Sequence, residues 1–178
     1  MLPRGRLREP LAGLARADCT VITRAEQAHD LNALRAEAAR LSGDRPAFAA
    51  RTRTTCVRPL ITNDANALSA PATLAQPAAA FCAIGNPQAF FTQARAADIE
   101  LCLTRAFADH HNYTQSDVDA LTRAANEAGA RALITTAKDA VKLHALHFTL
   151  PCYVLEIALA IEDEAELLAL VRRALTKA

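Results

Sequence analysis

With 178 residues, 52% of them hydrophobic and 22% charged, the chain has the composition of a globular protein of one or two domains and lies far from the signature of disorder. Twenty basic against nineteen acidic side chains leave a formal net charge of +1, so no chain-wide field draws it to nucleic acid or anionic lipid. Five widely spaced cysteines without a CxxC or CxxH pair argue against a zinc site or a disulfide framework and fit buried free thiols in a reducing compartment.

The N-terminus, "MLPRGRLREPL", carries charges with no apolar stretch behind them, and no apolar run reaches the ~20 residues needed to cross a bilayer. A cytosolic protein, free or peripheral to a membrane, is expected. Leu7, Leu11 and Leu14 share one helical face, and "CTVIT" (19–23) follows as a short strand. Residues 24–41 are alanine-rich with Leu31, Leu34, Ala38 and Leu41 at helical spacing, and "SGD" at 42–44 supplies a stop. A strand is expected at 47–53, continuing through 56–60. The stretch 63–80 holds two prolines and no amphipathic period, and reads as a connector.

Beyond it, "AFCAIGNPQAFFTQARAADIELCLTRAF" reads as strand, turn, helix, strand, with Asn86 as N-cap and Pro87 as first helical residue, where its missing N–H costs nothing. Thr114 then caps a helix whose Val118, Leu121, Ala125 and Ala128 share a face, and Gly129 ends it. "RALITT" is a strand, "AKDAVKLHAL" a turn with a short helix, and 152–161 a further strand. The last helix begins near Asp163, with acids at its start and Arg172, Arg173 and Lys177 at its end, both complementing the helix dipole. Strands alternating with helices predict an α/β fold with a parallel or mixed sheet covered on both faces.

In such sheets ligands collect beyond the carboxyl ends of the strands, where "DHHNY" (109–113) and "TTAKD" (135–139) both fall. Asp109, His110 and His111 are adjacent and do not converge on one ion, and no second cluster completes a metal set, so no metal site is expected. What remains is a polar strand-to-helix turn, or an imidazole that orients a carboxylate acting as general base. Two of the three lysines, Lys138 and Lys142, lie in or beside "TTAKD", which either holds an anionic group or simply caps a helix. Arg8 and Glu9 of "LREP" are a substrate contact or a solvated first turn. No GxxxxGK[ST], GxGxxG or GxSxG occurs in the sequence.

Taken in order, "LPRGRLREPL", "FCAIGNPQAFF", "TRAFADHHNYT", "LITTAKDAVKL" and "CYVLEIALAIED" resemble the C-terminal half of the tetraacyldisaccharide 4'-kinases, the lipid A 4'-kinase family of Gram-negative bacteria. The resemblance implies a P-loop-NTPase-like fold of two α/β domains. Residues 1–62 would be the remnant of the larger P-loop-type domain, 63–80 a connector and 81–178 the smaller C-terminal domain. It implies transfer of the ATP γ-phosphate, with Mg2+, to the 4'-hydroxyl of a lipid A disaccharide precursor at the inner-membrane surface. It gives His110 a supporting role toward a catalytic aspartate, and places Arg8, Glu9, Thr136, Lys138 and Asp139 in matching substrate-binding segments.

Ala137 stands where the family has glutamate, "RGR" (4–6) replaces "AGP", and the family's P-loop, catalytic aspartate and magnesium-binding acids match nothing in this sequence. A chain incompetent in phosphoryl transfer by itself is therefore expected, working with a separate N-terminal P-loop half if at all. Two alternatives stand beside it: a non-catalytic binding or interaction module derived from that family, and a small α/β enzyme with a histidine acid/base, which would need a pocket around His110.

Overall fold

A computed structural model describes residues 9–60 and 74–176. Contacts divide the chain into two compact units, Met1–Arg53 with Ala158–Ala178, and Thr54–Ile157. The connector expected at 63–80 lies largely outside the described residues, which resume at Leu74.

In the larger unit the sheet is built from the end of β2 (Ala47–Pro59), β3 (Ala78–Cys82), β4 (Leu101–Ala106), β5 (Ala132–Thr136) and the start of β6 (Cys152–Ile161), in the order β2-β6-β5-β3-β4. β4, β3, β5 and β6 run parallel. β2 runs against β6: Leu60 N donates to the Cys152 carbonyl at 2.8 Å, and Arg58 meets Glu156 at 2.8 Å two to four residues further along. The expected α/β class with a mixed, mainly parallel sheet is what the chain forms.

β3 is buried along its whole length, and its period-two alternation feeds two cores. Ala78, Ala80 and Cys82 face α2 (Pro87–Ala96) through Phe90, Phe91 and Ala94, joined by Ile134 and Leu155. Ala79, Phe81 and Ala83 face α3 (Gln115–Glu127) through Leu121 and Ala125, joined by Leu133 and Leu143. Three consecutive alanines in β3 keep the strand thin, so both helices approach the sheet closely.

Local chemistry sets the helix ends. The Asn86 side chain accepts from Ala89 N, with Pro87 at the first helical position. Thr114 and Asp117 form a reciprocal capping box at the start of α3. Gly129, at φ +77°, allows the turn after α3, and Ala128, expected on the buried face, is instead its exposed C-cap.

The smaller unit pairs β1 (Thr20–Thr23) in parallel with the start of β2. The Glu162 amide, just past β6, donates to the Ala49 carbonyl at 2.9 Å, and the Glu162 carboxylate is gripped by Arg35 and Arg51. The single helix expected over 24–41 is two: a 3-10 turn at Ala25–Gln27, then α1 (Leu31–Ser42), because Asp30 caps Ala33 N and starts a new helix. The helical face expected for Leu7, Leu11 and Leu14 is a 3-10 helix over Leu11–Arg16, with Leu7 outside the described residues. The final helix α5 (Glu164–Leu175) groups with this unit and buries none of its residues.

The cysteines are free as expected, but only Cys82 is buried; Cys102 sits on edge strand β4, exposed, and Cys19, Cys56 and Cys152 are half-buried. Phe81, with no exposed surface at the centre of the larger unit, carries the second core. Phe81→Ala is expected to cost about 3–5 kcal/mol in urea unfolding, whereas Leu34→Ala, on an exposed position of α1, is expected to cost under about 1 kcal/mol.

Candidate functional site at the carboxyl edge of the sheet

β3 leads through α2 to β4 on one side, whereas β5 leads to β6 on the other. The connections therefore diverge between β3 and β5, the switch point at which open α/β sheets hold their ligands. The segments 83–86, 107–113 and 136–139 meet at this edge.

Asp139 ties it together. Its side chain has no exposed surface; Oδ2 accepts from the Ala83 amide at 3.0 Å and from the Thr136 hydroxyl at 2.8 Å. Thr136 Oγ1 accepts in turn from the Asp139 amide at 3.1 Å, capping the one-turn helix α4 (Ala137–Ala140). The end of β5 is thus bonded to the end of β3 across the switch point. Asp139 Oδ1 and the buried Tyr113 hydroxyl have no hydrogen-bond partner among the described residues. Burial, then the Asp139 charge, pushes the Tyr113 phenol well above its usual range, and the same two causes push the Cys82 thiol up to about 12.

The segment after β4 is hung from β3. Phe107 N donates to the Cys82 carbonyl at 2.8 Å and His110 N to the Ala83 carbonyl at 3.3 Å. His110 takes a left-handed conformation, φ +62°, unusual for a side chain with a Cβ and costing on the order of 1–2 kcal/mol. Its amide is shared with Asp109 Oδ1 at 3.1 Å, which offsets part of that cost. The left-handed residue separates the two imidazoles: the His110 side chain is 73% exposed and that of His111 30%.

His111 stacks on Phe107 at 5.0 Å and meets the edge of Tyr113 at 5.3 Å, while its Nε2 lies 3.1 Å from Asp117 Oδ2. Tyr113 packs edge-on against Phe81 at 5.8 Å and Phe107 at 5.1 Å. Lys142 Nζ donates to the His111 carbonyl at 3.1 Å. His111 is held in this cluster; His110 is presented to solvent.

Of the residues singled out in the sequence, His110, Thr136, Lys138 and Asp139 come together on this edge. Lys138 is exposed there. Thr136 and Asp139, expected as ligand contacts, are turned to each other and to Ala83, a bracing position because the Asp139 carboxylate reaches no solvent. Glu9 lies in the other unit, exposed and paired with Arg16 at 2.6 Å, and Arg8 lies outside the described residues. The His111–Asp117 pair was missed in the sequence, although the Thr114-to-Asp117 capping spacing was there to read. A cavity of about 390 Å³ in the same unit is lined by Pro59, Leu60 and residues 146–153, and not by His110.

The family model described as tetraacyldisaccharide-1-P 4'-kinase matches residues 1–176. A tetraacyldisaccharide 4'-kinase of Syntrophobacter fumaroxidans is 40% identical over 143 residues, covering 80% of this chain and 37% of that protein. That of a Bradyrhizobium species is 34% identical over 182 residues, covering all of this chain and 50% of the relative. The crystal structure of an ATP complex of the Aquifex aeolicus protein LpxK superposes with a TM-score of 0.60 at 22% identity, over 97% of this chain and 47% of that one. The chain thus spans half or less of the length of these relatives.

Asp117 supplies a test of the local chemistry. The Thr114 amide and hydroxyl, followed by His111, hold its carboxyl at about 2, below the ordinary 3.8. A depressed carboxyl stabilises the fold above its unfolded-state value and loses that contribution as pH falls through the folded value. The stability lost in Asp117→Ala, read as a shift in urea midpoint, is expected to be constant above about pH 5 and to shrink between about pH 4 and 2.

Proposed function

The chain belongs to the tetraacyldisaccharide-1-P 4'-kinase family, and from that membership we propose that it contributes one wall of a lipid A disaccharide kinase site without completing the site alone. The observation that carries this reading is the carboxyl edge itself. The His110 amide is bonded to Ala83, just past β3, and its imidazole, 73% exposed with Nε2 3.7 Å from Asp109 Oδ2, stays open to a carboxylate brought from elsewhere. In the transfer of a γ-phosphoryl group to a sugar hydroxyl, that carboxylate takes the hydroxyl proton, and the imidazole orients it. Lys138, exposed on the same edge, offers its ammonium to an anionic group of the substrate, with Arg8 and Glu9 of the N-terminal segment as further contacts by family resemblance.

Among the described residues ATP and Mg2+ find no built cradle. The sequence contains no GxxxxGK[ST], and among the described residues no three of His, Cys, Asp and Glu converge. In this reading their binding belongs to the remaining length of the family. Phosphoryl transfer rests almost entirely on the phosphate loop, its lysine and the metal, so an imidazole cannot substitute for them.

In this reading the smaller unit, which holds residues 1–53 of the expected 1–62 segment, is a piece of the larger, P-loop-type domain. Leu11, Leu34, Leu159, Leu168, Val171 and Leu175 are exposed in it, Leu175 at 74%, an amount of uncovered apolar surface that suits a partner polypeptide carrying the rest of that domain. Among the described residues no helix is long and apolar enough to cross a membrane. Work at the cytoplasmic face of the inner membrane would then be peripheral.

The test is reconstitution. The purified chain with ATP, Mg2+ and the tetraacyl disaccharide is expected to transfer no phosphate. Adding the P-loop half of the Syntrophobacter fumaroxidans relative is expected to restore turnover, which His110→Ala lowers on the order of 10–100-fold. Turnover by the chain alone, lost on His110→Ala, would overturn the reading. Disaccharide binding without turnover in the reconstituted mixture would favour a non-catalytic module derived from the family.

A further inference from the structure

We propose that Asp139 is a positioning residue, whose buried carboxylate fixes the backbone from which His110 is presented and does not itself contact a ligand. Its functional meaning rests on the role proposed for His110; the coupling itself does not. Two hydrogen bonds carry it. Asp139 Oδ2 accepts from the Ala83 amide at 3.0 Å, and the carbonyl of the same residue, Ala83, accepts from the His110 amide at 3.3 Å.

Ala83 has no exposed surface and follows directly on β3, so a shift of its backbone, from the amide held by Asp139 through Cα to the carbonyl, moves the acceptor that keeps His110 at φ +62°. A left-handed histidine persists only where its surroundings over-determine it. Here they do so from one side through Ala83 and from the other through the Asp109 carboxylate.

An apolar residue or a neutral amide would fill the space of Asp139 at lower desolvation cost, since no basic side chain forms an ion pair with it among the described residues. The carboxylate is instead spent on two donors, one from the end of β3 and one from the end of β5. A charge-assisted bond to a backbone amide is about twice as strong as a neutral one, which suits a group whose task is to hold a peptide plane still.

The measurement is amide hydrogen exchange on the uniformly 15N-labelled full chain. In Asp139→Asn, which preserves shape, exchange at Ala83 and His110 is expected to quicken by on the order of ten-fold or more, and the His110 amide and Cε1–H resonances are expected to move. Val118, buried in α3 of the same unit, serves as control and is expected to hold its rate. Thr136→Val removes one donor to the same oxygen and is expected to act on the same residues in the same direction, more weakly.

Equal quickening at Val118, or no change at His110, would overturn the proposal, since a purely structural role loosens the unit as a whole. If Asp139→Asn does not fold, Thr136→Val decides by the same comparison. No activity is read, so failed reconstitution with selective exchange would count against the kinase reading alone, and successful reconstitution with uniform exchange against the Asp139 coupling alone.

Discussion

The carboxyl edge of the larger unit depends on one buried interaction, the Asp139 carboxylate accepting from the Ala83 amide across the gap between β5 and β3. Parallel strands whose connections diverge leave a crevice between them, and the backbone donors at its rim need partners. Asp139 supplies one, with the Thr136 hydroxyl as its second ligand and the cap of α4 as a by-product. From Ala83 the chain of hydrogen bonds continues to His110, so an acid without exposed surface governs an imidazole that is largely in solvent.

The two histidines illustrate how backbone geometry divides similar residues. His110 and His111 are neighbours in sequence, yet one left-handed residue sends them to different environments. His111 is locked by Phe107, Tyr113 and Asp117 and steadies the start of α3. His110 is held through its backbone, and its ring, 3.7 Å from Asp109 Oδ2, stays largely exposed. In the smaller unit the balance is reversed: polar contacts such as Arg35 and Arg51 on Glu162 are well made, while the apolar side chains of α5 find little to pack against.

What could be read in the sequence was what is local. Asn86-Pro87 and Thr114 declare helix starts through their own side chains, β6 was placed at its observed ends, and the alternation of strand and helix gave the class. The ordered motifs gave the family. What escaped was set by partners distant in sequence or by competition between local signals. Nothing in "TTAKD" reveals that Ala83, 56 residues earlier, bonds to the Asp139 carboxylate. The helix expected over 24–41 ignored the capping strength of Asp30, and the exposure of Cys102 follows from its outward register on an edge strand, which pattern alone did not assign. Nor did the sequence show that α5 would group with the N-terminal residues.

In the proposed function this edge offers His110 to a carboxylate of a P-loop half. A crystal structure of the chain in complex with the P-loop half of a relative tests it most directly. The expected result is a ring nitrogen of His110 within about 2.6–3.2 Å of a carboxylate oxygen of that half, with Asp139 still bonded to Ala83. A complex in which His110 remains turned to solvent and the carboxyl edge faces away from the P-loop half would contradict it.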